Sequence, residues 1–527
     1  MTVSSTTSRL AALALALTLS GFGPLVSSLA QDITGGSSSE LASAADVESR
    51  SGRGVFTTPK TVAHHAKKLE KKTVARVAVA RTQHQTGGQT GSGRQTGGGR
   101  DTGASRQTGG SETDLGSTPP LGGAARRVAG AEDLNKQGDD AFDAGQYDKA
   151  VELYQKAIKQ KPTYPEAYLN LSEAYFNLGK FNEAAQAAKT ATEQKADWAD
   201  AYIALGHAYL KLDRAADAIE PLKRAVALEP QNTEAKSALS LVYFDQGVDA
   251  YNASKYDEAI AAYQQAIAVK YDYSEAYNNL GDAYRRQEKF AEAAEAYKQA
   301  VRYKSDYAEA YGNLAWMYDK IGKLPEAAEA YRQSIRLKPD DAEANNNMGY
   351  ALGKLKRWTE AEAPLKRAIE LKPDYAEAYS NLGWVYNNLG RLNDALPPLK
   401  KAAQLNPQLP EAHFNIGITY SRLKQKDEAL AAFKRAVELK PDWPAAQNNL
   451  GFAYGQLGKW KEAIAAHQEA IRLKPDYAGA HFNLGFAYLN TGNKKAAEEE
   501  YKTLKPLSLG LANQLYFFIY KKQPPKN

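Results

Sequence analysis

Residues 376–409 read AEAYSNLGWVYNNLGRLNDALPPLKKAAQLNPQL. Tyr379, Leu382, Gly383 and Tyr386 recur at the spacing of one helical face. Asn388-Leu389-Gly390-Arg391 breaks that pattern, and the glycine suits a helix C-cap. A second helix follows, with Ala395, Leu399 and Ala402 on its inner side. Asn406-Pro407 ends it, because proline has no amide hydrogen and pushes the preceding residue away from helix. The stretch is therefore a helix–turn–helix unit of 34 residues, and the unit recurs.

Laid along the chain, the unit begins at Ala131, Pro165, Ala199, Ser240, Ser274, Ala308, Ala342, Ala376, Pro410, Pro444 and Ala478, eleven times in all. One step is 41 residues, so Thr233 to Leu239 is extra. Seven residues are nearly two turns, which keeps the apolar face in phase and predicts one long first helix from about Thr233 to Asn252. Pro364 and Pro398 fall inside second helices, where mild kinks are expected. Ser508 to Tyr520 predicts a closing helix, with Leu511, Leu515, Phe518 and Ile519 on one side to cover the last repeat.

The large residue, Leu-Gly, Tyr, Ala, Tyr, Ala and Pro of each unit resemble the tetratricopeptide repeat. The fifth unit carries Tyr277, Leu280-Gly281, Tyr284, Ala293, Tyr297 and Ala300, with Ser305 in place of the proline. The sixth has Tyr311, Leu314-Ala315, Tyr318, Ala327, Tyr331, Ser334 and Pro339. The tenth has Leu450-Gly451, Tyr454, Ala463, Ala470 and Pro475. The resemblance implies an all-α fold, a right-handed α-solenoid of about eleven helix–turn–helix repeats in which stacked neighbours supply the core that one repeat lacks.

The rest of the chain differs in kind. Residues 1–30 hold a single charge, Arg9, an apolar run from Leu10 to Leu19, and Ser28-Leu29-Ala30. This reads as a signal peptide cleaved after Ala30, and so as export to a periplasm or the medium. Residues 31–130 carry a net charge of +6, whereas residues 131–527 carry −1. Gln85-Thr86-Gly87-Gly88 recurs at Gln95–Gly98 and Gln107–Gly110, which predicts a disordered basic linker. Thr61 to Arg81 could form a basic amphipathic helix, without aromatic residues to stack on bases. The expected division is 1–30 signal, 31–130 linker, 131–239 repeats one to three with the extra turns, 240–507 repeats four to eleven, and 508–527 cap and tail.

The chain has no cysteine, which excludes disulfides, thiolate metal sites and a cysteine nucleophile. It has neither a phosphate loop of the Gly-x-x-x-x-Gly-Lys type nor His-Glu-x-x-His. His207, His413, His467 and His481 stand alone in sequence and read as packing or surface residues. No catalytic residue, cofactor or metal ligand is expected, and the chain reads as non-enzymatic.

A stripe on the first helices is distinct from the packing residues. Asparagine occupies one equivalent position in seven consecutive repeats: Asn279, Asn313, Asn347, Asn381, Asn415, Asn449 and Asn483. Asn170 fits as well, while Ala204 and Asp245 interrupt. Three residues on come Trp316, Tyr350, Trp384, Ile418, Phe452 and Phe486. Four further on come the cations Arg286, Lys320, Lys354 and Arg422 and the uncharged Asn388, Gln456 and Asn490. A primary amide donates and accepts at once, so a row of asparagines suits a peptide backbone of any sequence, each bond netting about 0.5–1.5 kcal/mol. The row resembles the superhelical arm of O-linked N-acetylglucosamine transferases, where such asparagines hold peptide backbones; the resemblance covers the repeats only, and that family's catalytic domain is not expected here. Glu309, Glu343 and Glu377 stand where the carboxylate clamp of chaperone-binding repeats would need lysine. The expected function is an interaction scaffold that binds extended protein or peptide segments along this stripe. The alternatives are a structural spacer in an envelope assembly, or an anionic polymer or nucleic acid held by the basic linker. No small-molecule substrate is implied. Membrane contact is expected only through an uncleaved signal or the linker, and export disfavours nucleic acid.

Overall fold

The computed structural model describes residues 130–521; the signal, the linker and the last six residues lie outside the described part, as do the expectations placed on them. The described residues are helical, with no strand, and form eleven pairs plus one closing helix. The pairs are α1 (Ala131–Asp143) with α2 (Tyr147–Gln160), α3 (Pro165–Asn177) with α4 (Phe181–Gln194), α5 (Ala199–Lys211) with α6 (Ala215–Leu228), and α7 (Thr233–Asn252) with α8 (Tyr256–Val269). Next come α9 (Ser274–Arg286) with α10 (Phe290–Tyr303), α11 (Ala308–Lys320) with α12 (Leu324–Leu337), and α13 (Ala342–Lys354) with α14 (Trp358–Leu371). The last are α15 (Ala376–Asn388) with α16 (Leu392–Leu405), α17 (Pro410–Arg422) with α18 (Lys426–Leu439), α19 (Pro444–Gln456) with α20 (Trp460–Leu473), α21 (Ala478–Asn490) with α22 (Lys494–Leu507), and then α23 (Leu509–Tyr520). Contacts divide the described chain into two compact units, residues 130–276 and 277–521.

Within a repeat the two helices meet where the first carries a residue with little or no side chain. A Cβ on Gly383 would stand 2.5 Å from Leu399 Cδ2, so only glycine allows this approach. Leu399 is fully buried, a burial that stabilises by about 1.5–3 kcal/mol. Tyr154, Tyr263, Tyr297, Phe433 and His467 take the place of Leu399 in other repeats, each over its own glycine. Within each unit, the second helix of a repeat packs on the first helix of the next, so a neighbour supplies the cover that one repeat lacks.

The turn inside each repeat is a left-handed cap. In α15, Gly390 has φ 76° and its N–H donates to Asn387 O at 3.2 Å, while Arg391 N–H donates to Tyr386 O at 2.9 Å. Between repeats a lysine lies over the ring three residues on, as with Lys372 and Tyr375 at 4.7 Å.

The prolines do not break their helices. Pro398 has no N–H to give the Asp394 carbonyl, and the first turn of α16 adjusts: both Asp394 and Ala395 donate to Arg391 O, each at 3.1 Å. The same double acceptance occurs at Arg357, ahead of Pro364.

The inserted seven residues give α7 its length, Thr233 to Asn252, the range expected from the sequence. Its first half buries Ala235, Ala238 and Leu239, with Ala235 packed beside Ala199, Ile203 and Ala225 of the preceding repeat. Its second half brings Gly247 against Tyr263 of α8. One helix thus offers two registers, one to each neighbour. At the other end of the chain, α23 buries Leu511, Leu515 and Ile519 and covers α21 and α22.

Candidate interaction face

The candidate face runs along the first helices of the unit 277–521. α11, α13, α15 and α17 begin with an acidic residue in the first turn, Glu309, Glu343, Glu377 and Glu411, which complements the helix dipole; α19 and α21 do not. One turn further on stands the row of asparagines, and the structure divides that row.

Asn279, Asn313 and Asn347 are half-buried. Asn381, Asn415, Asn449 and Asn483 are buried, with Asn449 at 1% exposure. Much of their bonding is to the protein itself. Asn313 donates to Asn278 Oδ1 at 3.5 Å, Asn381 to Asn346 Oδ1 at 2.9 Å, and Asn483 to Asn448 Oδ1 at 3.0 Å. Each acceptor lies one residue before the ladder position of the preceding repeat. Where that residue is Phe414, with no acceptor, Asn449 turns back and donates to Ala445 O at 2.8 Å. Asn346 in turn donates to Asn347 Oδ1 at 3.1 Å, and Asn278 to Asn279 Oδ1 at 3.4 Å. Asn415 lends its backbone carbonyl to Thr419 Oγ1 at 2.7 Å and Asn387 Nδ2 at 3.1 Å.

The aromatic position is divided in the same way. Trp384 is 4% exposed and Tyr350 is 7% exposed. Their rings pack at 5.8 Å, Trp358 meets Trp384 edge-on at 5.1 Å, and a Cβ on Gly353 would press into the Trp384 ring. The sequence places Trp384 on an open face; the structure places it in the joint between repeats, because Gly353 leaves room for it. Trp316, Ile418, Phe452 and Phe486 remain half-buried. Phe486 packs on Phe518 of the closing helix at 5.3 Å and on Trp460 at 6.3 Å.

The cations are engaged too. Lys354 pairs with Asp319 of the preceding repeat at 3.0 Å and lies over Tyr350 at 5.2 Å. Arg422 donates to the Asn387 carbonyl, and burial draws its guanidinium below the usual value. Lys320 and Arg285 lie over the Trp316 ring, at 5.9 and 5.4 Å. Arg286 and Lys320 themselves are exposed. Asn388 and Asn490 bond back to their own helices, to Trp384 O and Phe486 O, each at 2.9 Å.

In the unit 130–276 the stripe is a different object. Asn170 donates to Asp139 Oδ1 at 3.0 Å, and Tyr154 donates to the same oxygen at 2.8 Å. Asp245 replaces asparagine, and burial together with the charge of Asp249 pushes its carboxyl up to about 7. His207 lies 3.8 Å from Glu234, with burial holding its imidazole below the usual value.

The asparagines that precede the ladder, Asn278, Asn346 and Asn448, escape a search for exposed polar stripes. The doublets Asn278-Asn279, Asn346-Asn347 and Asn448-Asn449 were the available signal. Among the described residues no group of histidine or acidic side chains could hold a metal ion, and no helix is long and apolar enough to cross a membrane.

An array of paired helices with a polar and aromatic stripe on its first helices is an α-solenoid of the interaction type. The chain belongs to the tetratricopeptide repeat family: models described as tetratricopeptide repeat match residues 141–208, 199–232, 244–300, 281–342, 340–408 and 410–442, and one described as TPR repeat matches 453–492. No curated relative matches the sequence. Among solved structures, the APC/C hetero-tetramer Cut9–Hcn1 is similar at 15% identity and a TM-score of 0.42, over 75% of this chain and 97% of that one. YrrB, a TPR protein with an unusual peptide-binding site, is similar at 25% identity and a TM-score of 0.32, over 36% and 97%. MamA is similar at 31% identity and a TM-score of 0.29, over 31% and 95%. Tetratricopeptide repeats are in general scaffolds for protein–protein interaction, mostly without catalytic activity, and bind protein or peptide partners.

Proposed function

We propose that this protein is an exported scaffold that holds an extended peptide segment along the first helices of residues 277–521, with residues 31–130 serving as a tether. The observation that carries the reading is the half-exposed run of Asn279, Asn313 and Asn347 beside Trp316 and the exposed cations Arg286 and Lys320. Amide groups suit a backbone of any sequence, the indole adds apolar grip, and the cations favour segments bearing carboxylates. Behind that face, Asn381 and Asn483 bond across to Asn346 and Asn448 of the preceding repeats and hold those joints.

The reading is tested on arrays of 15-residue peptides probed with the full chain. Replacing Asn279, Asn347 and Trp316 together with alanine should lower affinity at least tenfold while the circular dichroism spectrum stays helical. Unchanged affinity in a folded variant would remove these residues from the binding face.

A further inference from the structure

The fourth residue of the first helix has a constant task in the last three repeats. His413 Nε2 lies 3.1 Å from Pro407 O, Gln447 Nε2 donates to Pro441 O at 3.1 Å, and His481 Nε2 lies 2.9 Å from Pro475 O. In each case a side-chain N–H holds a carbonyl six residues back, in the loop that joins two repeats. One N–H is enough for this task, as the uncharged amide of Gln447 shows.

His481 alone of the three also meets a carboxylate. Its Nδ1 lies 2.6 Å from Glu500 Oε2 on α22. The corresponding residues of the two preceding second helices are Ala432 and Ala466, which leave nothing to bond. Both ring nitrogens of His481 therefore face acceptors. A backbone carbonyl never donates, and a carboxylate does not donate either. A neutral imidazole has one N–H, so one of the two contacts would then set a lone pair against a lone pair. The arrangement is complete only with one more proton than a neutral histidine and a carboxylate hold between them.

We propose that this proton is a lock on the C-terminal end of the array, and that its release as pH rises loosens the docking of α22 and α23 on α21. The pair is placed for that role. His481 is buried and Glu500 is 17% exposed in its side chain. Gly485 approaches both Glu500 Cβ and Leu515 of α23, so the ion pair lies beside the seat of the closing helix. Other polar groups on the helices around α21 bond away from His481: Asn448 of α19 accepts from Asn483 and Gln468 of α20 donates to Tyr488, each at 3.0 Å. His467 of α20 lies with Nδ1 3.0 Å from Asn448 Oδ1 of α19, and Tyr520 of α23 donates to Glu498 of α22 at 2.9 Å.

Burial alone would lower the His481 value; the bond to Glu500, with the Pro475 carbonyl, outweighs it and raises the imidazolium above the ordinary 6.5. At His413, where no carboxylate bonds to the ring, burial outweighs the Pro407 carbonyl and the charge of Glu438, and the shift is downward. A group whose folded pKa is raised contributes fully below the unfolded value, and the contribution is lost as pH rises through the folded one. Each unit of elevation is a tenfold change in the docking equilibrium.

The test uses the full chain with ¹³C-labelled histidine. His481 should titrate above His413, and Glu500→Gln should lower the His481 value toward that of His413. In parallel, hydrogen exchange of residues 494–521, corrected for intrinsic rates, should speed up at least tenfold between pH 6 and pH 9. The variant His481→Gln with Glu500→Ala rebuilds the arrangement of the preceding repeat around Gln447 and Ala466, and its corrected exchange should be independent of pH. The proposal is overturned if His481 titrates at or below His413. It is equally overturned if the rebuilt variant keeps the pH dependence of the parent. Should that variant fail to fold, the His481 titration in the parent and in Glu500→Gln decides alone.

Discussion

Asn347 and Asn381 hold the same place in neighbouring repeats and do different work. Asn347 is half-buried and accepts a bond from Asn346 at 3.1 Å. Asn381 is 4% exposed and reaches across the joint to that same Asn346 at 2.9 Å. The contrast extends along the unit: α9–α13 keep their ladder residues part-way to solvent, while α15–α21 fold theirs into the joints. A single residue type at a single helix position therefore serves as face or as fastener. For Asn381 the preceding repeat supplies an acceptor at Asn346, and for Trp384 a void at Gly353; an acceptor alone does not decide, since Asn313 bonds to Asn278 and stays half-buried while Asn449, opposite Phe414, is buried.

The largest test of this division falls on the closest approach. In α15 a Cβ on Gly383 would press on Leu399, which is fixed behind Pro398 in a well-packed joint. In α11 the same position is already Ala315, fully buried beside Tyr331. Gly383→Val should destabilise the unit by about 3 kcal/mol, the upper range for overpacking, seen as a lower urea midpoint. A variant that unfolds at the parental urea concentration would break the claim that α15 belongs to a rigid joint.

The next effect is smaller and separates the two roles directly. Asn381→Ala removes a donor from the buried Asn346 oxygen and should cost about 1–3 kcal/mol. Asn347→Ala, at a half-exposed place, should cost less than about 0.5 kcal/mol and act on peptide affinity instead. Equal costs in urea denaturation would merge the two regions and return the ladder to a single function.

Much of this array was legible in its sequence because the physics is local and repeated. Helix starts at Pro165, Pro410 and Pro444, the Leu-Gly contact and the extra turns of Thr233–Leu239 are all pattern, and pattern survives without coordinates. The face was less legible. Periodicity places Asn381, Trp384 and Asn388 on one side of a helix, but it is blind to what lies opposite. Gly353, 31 residues before Trp384, turned an apparent binding residue into a core residue. The same blindness hid the His481–Glu500 pair, whose members are 19 residues apart on different helices. Position-by-position comparison of repeats could have found it, since Glu500 stands where Ala432 and Ala466 stand.

The smallest effect concerns the turn that both regions share. Every repeat closes its turn with a left-handed residue, glycine in some and another residue elsewhere: φ is 76° at Gly390, 60° at Lys356 and 65° at Lys424. A side chain in that region strains the backbone by about 1–2 kcal/mol, and part of the gain on replacing it by glycine is offset by the greater freedom of glycine in the unfolded chain. Lys356→Gly and Lys424→Gly should each stabilise by about 0.5 kcal/mol, and Gly390→Ala should destabilise by about 1 kcal/mol, with no atom near the added Cβ to blame. Lys356 closes the turn of α13, at the edge of the open stretch, and Lys424 that of α17, inside the packed one. Equal gains at the two sites, read from urea midpoints, are expected, because the turn depends on backbone conformation and not on the face above it. A gain confined to one of them would mean that the division between face and fastener reaches into the turns as well.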